Sequence, residues 1–267
     1  MYLSHAKEVL NNEYKTKFAL AQTQKQKDFM NEKIKHSYQV LGAGNFILKH
    51  EPCFQNCSKK ELSLLQATVL LHDIARFDEA LKQSQNIHID HSICGAEILS
   101  MLKEFNYPEI TLPIKHHGHL IEQLYEDKEY KKLPKEKQNI IKRNAFLVRD
   151  ADKIANFYLV MNEFDAIKKL FFAENNFKDA HNKNITPSIL EDFMSCRSIN
   201  RSEEQNLADH ALMIIAWIYD LNYKTSITFM QRTKIIDRLF TLFSQFWKAK
   251  DTQIFKAKIC NFIEQKF

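Results

Sequence analysis

Glycine is scarce in this chain, with four residues in 267, at positions 42, 44, 95 and 118, and proline is nearly as rare, with five. So few turn-forming residues exclude an architecture of many short strands and tight hairpins, and long helices joined by polar loops are expected instead. No glycine-rich phosphate loop occurs, which argues against a P-loop or dinucleotide-binding fold. No segment approaches the roughly twenty apolar residues that cross a bilayer. The longest apolar run, Ala211 to Tyr219, predicts a buried helix. The stretch Met1 to Glu8 lacks the charged start and apolar centre of a signal peptide, so a soluble, cytoplasmic protein is expected. Disulfide architecture is also missing: Cys53 and Cys57 are four apart with no second pair at zinc-finger distance, and Cys94, Cys196 and Cys260 stand alone. Reduced thiols fit a cytosolic setting. The formal charge of +5 is mild, without the broad basic surface and interleaved aromatics that a nucleic-acid partner would require.

What the chain does have is a spaced series of histidines and aspartates: His36, the pair His72-Asp73, His91, His116 with His117, and Asp152. Imidazole and carboxylate together suit Mn, Fe, Co, Ni or Zn better than they suit a folded core, where such groups must be paired. The series therefore points to a metal site. All four glycines lie between residues 42 and 118, where these candidates concentrate.

Helical spacing of apolar residues surrounds the series. Ser58-Lys59-Lys60-Glu61 offers a capping box, after which Leu62, Leu65, Val69, Ile74 and Phe77 recur near the helical period. His72 and Asp73 are thus expected at the end of a buried helix near 60–74. Neighbouring helical positions point about a hundred degrees apart, so both can serve one ion only where other helices close a pocket around that end. His36 and Asp152 are the expected suppliers of further ligands. Other helices are expected from about Leu3 to Leu20, from about Asp28 to Phe46, near 92–104, 108–126 and 138–172, from Thr186-Pro187, and near 203–220 and 232–265. Thr186 would cap its helix and Pro187 would take the first helical position. Residues 175–185 read as a polar loop. One all-α domain over 1–267 is expected, with a metal-binding core at about 30–160 and a C-terminal helical extension at about 186–267.

The order His36, then Leu70-Leu71-His72-Asp73-Ile74-Ala75-Arg76-Phe77, then Arg149-Asp150-Ala151-Asp152-Lys153-Ile154 resembles the HD-domain metal-dependent phosphohydrolase superfamily. The contexts Ile89-Asp90-His91-Ser92 and Ile114-Lys115-His116-His117-Gly118 resemble members that carry a second ion. Ala208-Asp209-His210 and Ala216 to Tyr223 resemble the C-terminal half of a bacterial HD subgroup, so the likeness spans roughly residues 30–230. It implies an HD-type helical bundle with additional N- and C-terminal helices, and an enzyme whose ion activates water against phosphoester bonds.

The resemblance also implies a ligand set. His36, His72, Asp73 and Asp152 would hold one ion, and His91 and His116 a second, with Asp73 bridging. His116 and His117 compete for one place, and the family's use of the first histidine of such a pair selects His116. Asp150 and Asp152 likewise compete, and the family's Ala-Asp followed by a basic and an aliphatic residue selects Asp152, leaving Asp150 to orient a ligand histidine. His119, next to Gly118, is expected at the surface. His5, His50, His88, His181 and His210 have no matching context.

Asp73, Arg76 and Lys153 are the expected catalytic residues. Arg76 follows the His-Asp pair by one turn and Lys153 follows the last ligand, so either could neutralise charge on a transferred group; either could equally pair with a surface carboxylate. Arg149 and Asn156 are weaker candidates. The expected substrate is a small phosphorylated molecule, a nucleotide first of all. Lys128, Lys131, Lys132, Lys135, Lys137, Lys142 and Arg143 outnumber the acids among them, which marks a solvated face or a patch that attracts such a ligand. Two alternatives stand beside this: a di-iron oxygenase, since the scaffold also resembles the inositol oxygenases, and a regulatory module that binds without catalysis.

Overall fold

The computed structural model describes residues 2–83, 87–162, 182–199 and 201–267. Among them are fourteen α-helices and no strand. The chain divides into two compact units, Met1–Ala155 and Asn156–Phe267.

The first unit begins with α1 (Tyr2–Leu20) and α2 (Gln24–His50). Helix α2 starts earlier than the apolar pattern suggests, because Thr23 and Gln26 form a reciprocal capping box. Helix α3 (Lys59–Leu70) starts on Ser58, whose hydroxyl accepts from the Glu61 N–H at 3.1 Å. The Glu61 carboxylate does not close the box; it takes Arg143 at 2.7 Å. Helix α3 stops at Leu70, and Leu71 to Ala75 form successive turns before α4 (Arg76–Gln83). His72 and Asp73 consequently lie between two helices, where the apolar spacing had suggested the last turn of one.

Helix α5 (His91–Ser100) is capped by Asp90, which accepts from Ser92 and Ile93. Helix α6 (Pro108–Lys115) ends at His116, and the expected helix 108–126 is interrupted there by a turn that leads into α7 (Ile121–Glu126) and α8 (Lys128–Lys132). Helix α9 (Lys135–Asn162) carries Asp152, and the remainder of the expected helix 138–172 lies outside the described residues, as does His181.

The core of this unit includes Leu10, Met30, Leu70, Ile74, Phe77 and Leu99. Each fully buried Leu, Ile, Met or Phe contributes about 1.5–3 kcal/mol from burial alone. Gly44 lets α2 approach α3 closely: a Cβ at this position would lie 2.9 Å from Val69 Cγ1. That close contact brings the helix carrying His36 alongside the one that leads into His72.

The second unit contains α10 (Pro187–Met194), α11 (Leu207–Ala216), α12 (Lys224–Arg232), α13 (Ile235–Phe243) and α14 (Ala249–Lys266). Every residue of α11 is buried, as its unbroken apolar run predicts. Thr186 precedes Pro187, yet its hydroxyl does not cap α10; it donates to Asp209 at 2.6 Å. Asp209 also accepts the Thr186 and Gln205 N–H groups, so it ties the chain before α10 to α11. His210 is fully buried against Glu204 at 2.6 Å. The expected helix 232–265 is broken twice, first at Lys234, which has φ 55°, and again before α14.

Candidate metal centre

Asp73 is the middle of the site. Its side chain is nearly closed to solvent, and its two oxygens face two different sets of imidazoles. Oδ2 lies 3.7 Å from His72 Nε2, on the side of His36 and Asp152. Oδ1 lies 3.3 Å from His117 Nε2 and 3.6 Å from His91 Nε2. Two groups of candidate ligand atoms result, His36 with His72 and Asp73, and Asp73 with His91 and His117. Within each group the atoms lie within 4.8 Å of one another. Asp152 joins the first group, with Oδ1 at 2.9 Å from His36 Nε2 and 3.5 Å from His72 Nε2.

Backbone carbonyls orient two of the rings. His72 Nδ1 donates to the Val69 carbonyl at 2.9 Å, and His117 Nδ1 to the Ile114 carbonyl at 2.7 Å. A carbonyl can only accept, so in the neutral ring the proton sits on Nδ1 and the Nε2 lone pair faces the carboxylates. His72 Nε2 is buried without a hydrogen-bond partner. Such an atom is costly in a core unless a cation takes it, and neutral imidazoles with ionised carboxylates are the form in which these groups bind metal.

The protonation preferences largely agree. Burial pushes the His91 imidazole down to about 3 and lowers His36, against the pull of Asp152. Burial alone would raise Asp73, but Lys33, Arg76 and the histidines hold its carboxyl well below the usual range. Asp152 is held low against its own burial by His36 and His72. His72 is the exception: burial disfavours its cation, and the two carboxylates outweigh that and raise it. The donor set fits a divalent transition ion: mixed nitrogen and oxygen, with both acids ionised.

Of the residues expected at the site, the structure brings together His36, His72, Asp73, His91, Asp152 and Arg76. Arg76 Nε is 3.4 Å from Asp73 Oδ1, and its Nη1 is 2.6 Å from the buried Glu79. Lys153 follows Asp152 on α9 and is half-buried. His116 is not brought in. Its Nε2 lies 3.0 Å from Asp127, which also takes Lys115 at 2.8 Å, and His117 stands at Asp73 instead. The physical reason is the helix end: His116 closes α6, and the next residue turns inward over the site. Of the two aspartates on α9, Asp152 is the one at His36 and His72, while Asp150 is fully buried.

Lys33 and His119 were not expected here, and Arg149 was expected only as a weaker candidate for neutralising charge. Lys33 Nζ lies 3.2 Å from Asp73 Oδ2. Arg149 is buried and donates to the carbonyls of His116, His117 and His119, which holds the loop that carries His117. His119, expected at the surface, is partly buried on Asp90 at 2.7 Å. The signal for Lys33 was its place one helical turn before His36; nothing local marked Arg149 as a loop anchor.

No helix among the described residues is long and apolar enough to cross a membrane. No curated protein and no solved structure matches the chain. The family model of the HD domain matches residues 34–156. That span, which holds both histidine groups, Asp73 and Asp152, is similar to the HD domain.

Proposed function

We propose that this protein is a metal-dependent phosphohydrolase that cleaves a phosphoester or phosphoanhydride bond of a small phosphorylated substrate, with a nucleotide as the first candidate. The observation that supports it most is the division of Asp73 between two imidazole groups, 3.7 Å from His72 on one oxygen and 3.3 Å from His117 on the other. In this proposal His36, His72, Asp73 and Asp152 hold one ion, and Asp73, His91 and His117 a second. Ions so placed supply Lewis-acid polarisation of a phosphoryl oxygen and acidify water near neutral pH.

The chain's own groups do the rest. Val69 and Ile114 carbonyls keep the His72 and His117 rings in the ligating tautomer. Arg76, held by Glu79, balances charge developing on the transferred group, and Lys153 beside Asp152 is given the same role.

Elemental analysis of purified protein, followed by a phosphate-release screen over nucleotides and sugar phosphates, tests the proposal. One or two transition ions per chain and turnover of a phosphate ester are expected. Bound iron with an oxygen-dependent spectrum and no phosphate release would replace it with the oxygenase alternative. Bound metal with neither activity would leave a regulatory module.

A further inference from the structure

Two cations reach Asp73, and they are held differently. Arg76 is committed to Glu79 at 2.6 Å and only grazes Asp73 Oδ1 at 3.4 Å. Lys33 makes a single ion pair among the described residues, 3.2 Å to Asp73 Oδ2, and its Nζ lies 5.8 Å from the Phe29 ring centroid. An ammonium has three donors, so two remain for other acceptors. The Lys33 side chain is 22% exposed, against 3% for Asp73, which puts the ammonium on the solvent side of the carboxylate. Helix α2 thus delivers a cation to Asp73 Oδ2 and, one turn later, an imidazole to Asp152 Oδ1, within the same ligand group.

The charge balance of the site gives this cation a use. Asp73, Asp152 and Glu79 face Lys33 and Arg76, a small excess of acid. Divalent ions at the histidine groups would reverse that excess and draw on the Asp73 carboxylate that Lys33 now shares. The ammonium then stands beside whatever anion joins the ion on the Oδ2 side, where a compact point charge suits a phosphate oxygen. A singly charged phosphodiester leaves much of the positive excess unmatched; a doubly charged phosphomonoester matches it better.

We propose that Lys33 binds the non-bridging oxygens of the substrate's phosphoryl group, and that the substrate is a phosphomonoester dianion. This rests on the phosphohydrolase reading of the site. The test uses full-length protein loaded with manganese, as wild type, Lys33→Met and Lys33→Arg, with folding compared by circular dichroism. Inorganic phosphate binding is measured by calorimetry at mildly alkaline pH, where phosphate is the dianion. Wild type should bind phosphate, Lys33→Met should bind it on the order of ten- to a hundredfold more weakly, and Lys33→Arg should stay within a few-fold, all with the same manganese content. With p-nitrophenyl phosphate and bis(p-nitrophenyl) phosphate, wild type should favour the monoester, and Lys33→Met should lose mainly that activity. Unchanged phosphate affinity in Lys33→Met, with manganese retained, overturns the role of Lys33 alone. Preference of wild type for the diester overturns the substrate class. Failure of wild type to hold manganese overturns the site reading on which both depend. Should Lys33→Met not fold, Lys33→Gln takes its place with the same expectations.

Discussion

Gly118→Ala adds one methyl group where the fold has no room for it. A Cβ at this position would lie 2.6 Å from Ser92 Oγ, with His91 Cε1 and Nε2 next at 3.5 Å. No glycine in the described chain has a positive φ, so the backbone at 118 accepts alanine and the whole cost is steric. Ser92 is fully buried in the first turn of α5, so its hydroxyl cannot swing into solvent and the loop must give way. Overpacking of this kind costs about 1–3 kcal/mol. The displaced loop carries His117 and presses on His91, so metal content should fall with stability. Urea unfolding followed by circular dichroism, together with elemental analysis, measures both. Ser92→Ala removes the clashing oxygen, so the double variant should recover most of the loss, with a coupling energy of about 1 kcal/mol or more. Strict additivity of the two substitutions, or unchanged stability and metal in Gly118→Ala, would refute the reasoning.

Three further outcomes are expected. His117→Ala should lower metal from about two ions per chain toward one, whereas His116→Ala should leave the content unchanged; elemental analysis giving the opposite pattern would restore His116 to the site. Neutral substitution of Arg76 or Lys153 should cut turnover on the order of a hundredfold, roughly 3 kcal/mol, without loss of metal, and unchanged kinetics would return both to ordinary ion pairs. Burial opposes ionisation of Asp127, yet Lys115, His116 and two backbone N–H groups hold its carboxyl at about 2. With an unfolded value near 3.9, its contribution is complete above about pH 4 and is lost as pH falls toward 2. Asp127→Asn should flatten that limb of the acid-unfolding curve, and superimposable curves would count against the assignment.

The helical class and the likeness to the HD domain were legible because they rest on local text: apolar spacing, few glycines, and His72-Asp73 framed by Leu70-Leu71 and Ile74. The break at 71–75 was not, because Val69, Ile74 and Phe77 keep helical spacing straight across it, which also concealed α4. His116 and His117 are chemically identical neighbours, and only the point at which α6 ends decides which ring turns inward. Lys33 carries no motif; its contact with Asp73 is made to a partner 40 residues away. In the second unit Lys234 takes a left-handed conformation between two helices, a place where sequence patterns look for glycine or asparagine. The boundary between the units, at residues 155 and 156, falls within α9, where no glycine or proline announces it.

Arg149 and Asp152 sit one turn apart on α9, yet they serve opposite ends of the site: Asp152 meets His36 and His72, while Arg149 grips the carbonyls around His117. The helix therefore works as a common axle. Both contacts hang on one helix, so a displacement of α9 that moves the Asp152 carboxylate is expected to move the Arg149 guanidinium that holds the His117 loop as well. Substitutions at α9 positions that never approach Asp73 should accordingly be felt at both histidine groups.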